Sequence, residues 1–284
     1  MISILIPTFN NLNYLNLTIQ SIKKNSSLNS HEILLHINDG SDGTLDFAKK
    51  NQIQFTHSKN NVGLCTSINT VSKLANKDLL LYSHDDMYFC PNWDTFLIDE
   101  VKSIQHENFY LSGTMIEPKE TAHIRFNCGE NLNDFDEEKL LKNLDNLEFY
   151  DHQGSHFAPH LIHKNLWLKV NGFSEEFNPG MGSDPDFNMK LWKEKVRIFK
   201  GINKFRVYHF SSVTTRKRNI IKNRGDITFL KKWHITTKFF KKHFLRSNTK
   251  YMGPLNEPNQ NIIYYFDHLI CFLKRFFLYF SQRG

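Results

Sequence analysis

Apolar and polar positions along the first hundred residues fall into repeating blocks. Ile2-Ser3-Ile4-Leu5-Ile6-Pro7 is a short, nearly unbroken apolar run, as a strand covered on both faces requires. Leu15, Ile19 and Ile22 then recur at helical spacing within 12–24. The alternation continues with a strand over 33–37, a helix over 44–50 and a short strand over 52–56. Leu64, Ile68, Val71 and Ala75 mark the next helical face, and Leu79-Leu80-Leu81-Tyr82 reads as a third strong strand. Trp93, Phe96, Leu97, Val101 and Ile104 line a further helix. Short apolar strands alternating with amphipathic helices predict an α/β domain with a mostly parallel sheet.

The rest of the chain is less regular. An exposed acidic helix is expected over 134–148. Asp184-Pro185-Asp186 opens another helix, reaching about 195, and 196–199 and 205–210 read as strands. A boundary near 213/214 divides a domain over 1–213 from a basic, helical appendage over 214–284. In that appendage, 262–280 is rich in aliphatic and aromatic residues. Asp267, His268, Lys274 and Arg275 would form one polar stripe there, with Cys271 between them. Three charges argue against a membrane-spanning helix, and an interfacial helix or one packed on a domain both fit.

Composition sharpens this picture in two places. Between Arg216 and Lys250 twelve Lys or Arg stand against one acid, Asp226, so that stretch carries +11 of a formal total of +7. Basicity is thus local, and it favours peripheral contact with an anionic membrane through 216–284. No nucleic-acid-binding module accompanies it, so no nucleic acid is expected as partner. The four cysteines, at 65, 90, 128 and 271, form no CxxC pair. Reduced, buried thiols are expected, in a cytoplasmic protein that could sit peripherally on the inner face of a membrane. Met1 runs directly into the first strand, without the basic and small-residue flanks of a signal peptide.

In open parallel sheets ligands bind beyond the carboxyl ends of the strands. Three such ends carry polar residues: Thr8-Phe9-Asn10, Asn38-Asp39-Gly40-Ser41 and His84-Asp85-Asp86. Adjacent acids after a strand suit a hard divalent cation, which a diphosphate needs to neutralise its charge. They equally suit a solvated turn. The glycines of 38–44 allow close approach of a ligand, or simply a turn before a capped helix at Thr44.

Taken together and in order, these elements resemble glycosyltransferase family 2, which has the GT-A fold. The resemblance runs through Pro7-Thr8-Phe9-Asn10, then Asn38-Asp39-Gly40-Ser41-Asp42-Gly43-Thr44, then Asn61-Val62-Gly63 with Asn69, then Asp85-Asp86. It continues through Val170–Phe177, Gly182–Asp186 and Val207-Tyr208-His209, and so covers about residues 1–217. It implies a Rossmann-like GT-A sheet and transfer of a sugar from a nucleoside diphosphate sugar to an acceptor hydroxyl. The acceptor would be a saccharide or a lipid-linked glycan, in glycan or polysaccharide assembly. Pro7, Thr8, Asn10, Asp39, Asn61, Gly63 and Asp85 would hold the donor. Asp86 and His209 would bind Mg2+ or Mn2+. Asp184 would be the general base, with Asp186 as the fallback. Arg216 and Lys217 would close over the diphosphate.

The sequence departs from the family pattern at four points. Asn38 replaces an acid, the loop after Ser41 is one residue short, Ser183 replaces a Glu, and His84 stands where an Asp or a small residue is usual. These departures keep open a catalytically silent sugar-nucleotide or glycan-binding relative. A sugar nucleotidyltransferase is a further alternative, although 7–13 lacks a Gly-rich basic phosphate loop. Asp184-Pro185 also has the form of a helix N-cap followed by its first residue.

Overall fold

In the computed structural model, residues 1–28, 30–119, 122–154, 157–210 and 223–281 are described. Strand β1 (Ile2–Phe9) lies between β2 (Glu32–Asn38) and β4 (Leu79–Tyr82), and β2 pairs outward with β3 (Gln54–Ser58). All these pairings are parallel. Pro7 costs nothing on the β4 side, because that pairing ends at Leu5↔Tyr82. Helices α1 (Leu12–Asn25), α2 (Thr44–Lys50) and α3 (Leu64–Ser72) make the crossovers, and Leu15, Ile19, Ile22, Ile68 and Val71 are buried as their spacing requires.

Beyond β4 the sheet becomes mixed. Its order is β3-β2-β1-β4-β9-β6-β10-β5, with β9 (His160–His163) antiparallel between β4 and β6 (Phe109–Glu117). Strand β6 runs parallel to β10 (Ile198–His209), and β5 (Met87–Phe89) pairs antiparallel with the end of β10. Two reversals therefore restore the direction of β1. The carboxyl ends of β1, β2, β4, β6 and β10 all reach one edge of the sheet. Helix α4 (Trp93–Ile104) packs against β10.

Several elements differ from the sequence reading. β10 is one strand rather than two, and an irregularity between Ile202 and Arg206 produces the apparent break. The acidic helix is short, α5 (Glu137–Asn143). β6, β9 and α6 (Lys164–Lys169) were not foreseen. β6 has Ser112, Gly113 and Thr114 at its centre, and β9 has histidines at both ends, so neither shows an apolar run.

The expected boundary at 213/214 lies outside the described residues. Past it, α8 (Gly225–Trp233) settles on the start of α7 (Ser183–Lys193). A Cβ at Gly225 would stand 1.7 Å from the Met181 carbonyl oxygen, so only glycine permits that approach. Then follow α9 (Thr237–Phe239), a π-helical turn over Phe240–Leu245 and the long α10 (Ile262–Ser281). Phe229, Phe239, Phe240, Leu245, Leu255 and Cys271 join the same buried cluster as the strands. All four cysteines are free and buried.

Candidate active site

The strand order delivers three side chains to one point. Asp86 stands between β4 and β5, immediately before Met87, His209 ends β10, and Glu117 ends β6. The pairings Tyr208↔Ile116 and His209↔Met87 put His209 beside both acids, and the Phe210 amide donates to the Asp86 carbonyl at 3.2 Å. His209 Nε2 lies 3.3 Å from Asp86 Oδ1, while its Nδ1 meets Glu117 Oε1 at 2.5 Å. His84 Nδ1 is 4.0 Å from the same Asp86 oxygen.

One ligand atom each from His84, Asp86 and His209 lies within 4.8 Å of the others. A carboxylate and two imidazoles suit a divalent cation of the Mn2+ type. The Glu117 contact is the kind of support that orients a ligating imidazole. Nε2 of His209 is buried and makes no hydrogen bond of proper geometry, so it remains available to a metal. The residues therefore fit a cation. Burial by itself would lower the pKa of His209, but Asp86 and Glu117 outweigh it and raise the value to about 9. Burial and the neighbouring His209 push His84 down to about 4.

Asp85, next to Asp86, points to the other side. Its Oδ2 accepts from Thr8 Oγ1 at 2.6 Å, and burial followed by the Asp86 charge raises its pKa to about 7. Asn10 Nδ2 donates to Asp39 Oδ2 at 2.7 Å, and Asn10 Oδ1 accepts from the Gly40 amide at 2.8 Å. Thr8 thus pairs with Asp85, and Asn10 with Asp39, along the ends of β1, β2 and β4. Asn61 and Gly63 lie farther along, before α3. Asn61 Oδ1 accepts from the Gly63 amide at 3.0 Å. Gly63 has φ +86 and packs so closely on Asn178 that a Cβ would clash.

Asn38, the departure from the expected acid, is fully buried in this frame. Its amide donates to the Thr8 carbonyl at 3.3 Å and to Ser67 Oγ at 3.0 Å, and it accepts from the Val62 amide at 2.9 Å. A carboxylate could not donate either bond.

Asp184 and Asp186 have opposite surroundings. Asp186 is fully buried and engaged: Ser174 Oγ donates at 2.6 Å, Trp233 Nε1 at 2.7 Å, and Lys232 Nζ lies 3.0 Å away. It holds α8 against α7 and has no oxygen turned to an open space. Asp184 is not the N-cap of α7, because Gly182 occupies that position. Asp184 Oδ1 is buried without a hydrogen-bond partner, and burial raises the carboxyl to about pKa 7. Ser183 is buried and donates to the Gly180 carbonyl at 2.7 Å, so it serves the loop.

Asp184, His84, Glu117 and His209 line one cleft of about 1330 Å³. Lys238, Lys241, Lys242 and Arg246 line the same cleft. Neither these cations nor Glu117 belongs to a motif that singles them out in the sequence. The only signal for the cations was the local excess of positive charge, and Glu117 had none. Arg216 and Lys217 lie outside the described residues.

This arrangement can be set beside known proteins. Residues 3–158, more than half of the chain, match the family described as Glycosyl transferase family 2. The chain belongs to glycosyl transferase family 2. No curated protein matches it. Among solved structures, S. aureus TarS 1–349 is similar at 17% identity and TM-score 0.53, over 74% of this chain and 60% of that one. TarS 1–349 in complex with UDP-GlcNAc gives 17% and 0.52, over 75% and 61%. GalNAc-T7 with UDP, GalNAc and Mn2+ gives 14% and 0.56, over 74% of this chain and 43% of that one. The likeness establishes a GT-A fold with a helical C-terminus. This family 2 chain spans about 60% of the TarS fragment's length. No helix among the described residues is long and apolar enough to cross a membrane.

Proposed function

We propose that this chain transfers one sugar from a nucleoside diphosphate sugar to an acceptor hydroxyl, with inversion at the anomeric carbon. The observation that carries the proposal is Asp184, whose Oδ1 is buried without a hydrogen-bond partner, in the same cleft as His209 and His84. A pKa near 7 suits a group that must take a proton at neutral pH. Asp184 then removes the acceptor proton as the hydroxyl attacks, while the diphosphate departs on the opposite face. Asp186 is unsuited to this role, because all its contacts are used in packing.

Thr8, Asn10, Asp39 and Asp85, on the strand ends, hold the nucleoside and sugar. Pro7, Asn61 and Gly63 shape the loops around them. Asp86 and His209, with His84 beside them, hold Mg2+ or Mn2+, which would neutralise charge on the leaving diphosphate. Complexes of the similar TarS with UDP-GlcNAc, and of GalNAc-T7 with UDP, GalNAc and Mn2+, support this donor class and metal. Arg216 and Lys217 are assigned to the diphosphate from the sequence alone. The acceptor is assigned as a saccharide or a lipid-linked glycan, in glycan assembly. Four free thiols suit the cytoplasm.

Incubating the protein with Mn2+ and a panel of nucleotide sugars, and measuring released nucleoside diphosphate, tests the reading. Slow hydrolysis of one donor is expected, with dependence on the metal. Nucleotide binding without release from any donor would instead identify a silent relative. Neither binding nor release would overturn both.

A further inference from the structure

Helix α10 sits on the molecule with its polar side inward. Asp267 accepts from Lys242 Nζ at 2.6 Å and pairs with His243 at 2.7 Å, both on the π-helical turn before it. Cys271 is buried, with the Thr236 amide 3.4 Å from its sulfur. Tyr264 packs edge-on against Phe239 at 5.0 Å. Residues 264, 267, 271, 275 and 278 thus form the seam, at helical spacing. Asp267 and Arg275 of the polar stripe are thus partly covered by the protein, while His268 and Lys274 stay exposed.

The outward side is therefore apolar. Ile262 is 84% exposed, Phe266 64% and Phe277 67%, and Leu269, Phe272 and Leu273 are exposed between them. Eleven large apolar or aromatic residues of α10 are exposed, against seven in all the rest of the described chain. So contiguous a surface marks an interaction site. Basic groups frame it: Lys231 and Arg275 on one side, Arg224, Lys238 and Lys274 on the other. The segment leading into it, Arg216 to Lys250, carries +11.

We propose that α10 lies in the headgroup layer of an anionic lipid bilayer, with its aromatic face in the acyl boundary and the flanking cations on lipid phosphates. The charge decides between a bilayer and a second copy of the chain. Two copies joined through α10 would bring the framing cations of both copies together, Arg224, Lys231, Lys238, Lys274 and Arg275 from each, whereas an anionic surface neutralises them. The length and apolar face also suit an in-plane helix, with its one acid, Asp267, held by Lys242 and His243 on the protein side and Lys274 and Arg275 at the margin of the apolar face. Lys242 both lines the catalytic cleft and holds Asp267, so docking α10 brings the basic wall of the cleft near the lipid surface.

The test is sedimentation of the full chain with vesicles of phosphatidylglycerol and phosphatidylcholine, and of phosphatidylcholine alone. Strong binding to the anionic vesicles is expected, weakened by about 1 M salt. The triple variant Phe266→Ser, Leu273→Ser, Phe277→Ser should bind more than about tenfold less, since three buried apolar side chains are lost. It should keep the circular dichroism and melting temperature of the parent, because all three side chains point outward. Equal binding by parent and triple variant would overturn the proposal, as would a parent that ignores anionic vesicles. A parent dimer in light scattering that the triple variant breaks, without lipid binding, would assign the face to a second copy instead. The lipid measurement requires no sugar transfer, so it stands or falls independently of the proposed reaction.

Discussion

Two carboxylates two positions apart show how a residue's surroundings set its role. Asp186 is surrounded by donors from Ser174, Trp233 and Lys232, whereas Asp184 has a buried oxygen with none. Asp184→Asn keeps the shape and removes the proton acceptor. Transfer should fall by about a hundredfold to ten-thousandfold, while nucleoside diphosphate affinity hardly changes. In the parent, transfer should rise with pH through about 7 and level off above it, as Asp184 ionises. Stability should run the other way. The folded-state value of about 7 exceeds the ordinary 3.8, so the folded protein keeps this proton longer than the unfolded chain. Stability from this group is present below about pH 4, declines as pH rises towards 7, and is gone above it. Asp184→Asn should therefore melt higher than the parent at pH 8, by about 1 to 2 kcal/mol once partial solvation is allowed for. Thermal melts at pH 5 and pH 8 check this, and a lower melting point for the variant at pH 8 would contradict it.

The same scale governs the metal. Asp86→Ala should abolish Mn2+-dependent binding of UDP or GDP, because it removes the one carboxylate among the three clustered groups. His209→Ala should weaken it less, since it removes a neutral ligand. Calorimetric titration with and without Mn2+ compares the two. Unchanged metal-dependent affinity in the Asp86 variant would remove the assignment.

Among elements, the contact of α8 with the loop before α7 supports Asp184, the proposed base. Gly225 lies against Met181 and Gly182, just before Asp184. Gly225→Ala would push α8 away from that loop. A loss of about 1 to 3 kcal/mol is expected for such overpacking, together with reduced transfer. A melt and a transfer assay on one preparation read both, and full stability with full activity would show that the contact yields freely. The elements themselves were legible in proportion to their apolar runs. β1, β2 and β4 announce themselves. β6 does not, because Ser112, Gly113 and Thr114 interrupt it, and Glu117 was hidden with it. Asp184-Pro185 looked like a cap and its successor, but the helix begins two residues earlier, at Ser183, and Gly182 takes the cap position. On α10 the stripe was read correctly as polar, but periodicity cannot say which side a helix turns to its own protein.

At the scale of the whole molecule, the strand ends bring chemistry from residues 8 to 246 into one region. A ligand that bridges those ends should stabilise the fold as a unit. Mn2+ with UDP at about a hundred times its Kd should add about 2.7 kcal/mol, or at least about 5 °C in Tm. Mn2+ with a chelator should remove the gain. A thermal shift series over both ligands, singly and together, measures it, and a null shift for every nucleotide would count against the donor site.

The sequence by itself determined the strand-helix alternation of the first hundred residues, the family, and which polar residues stand at strand ends. Those properties are local, fixed by period, turn chemistry and order along the chain. Only the tertiary structure decided that Glu117 meets His209, since that contact depends on β6 and β10 being neighbours across 92 positions of sequence. It also decided which of Asp184 and Asp186 stays unpaired, and that α10 turns Asp267 and Cys271 towards the protein and its aromatic face outward. A carboxylate's role and a helix's facing depend on what packs against them, and the packing partners come from distant parts of the chain.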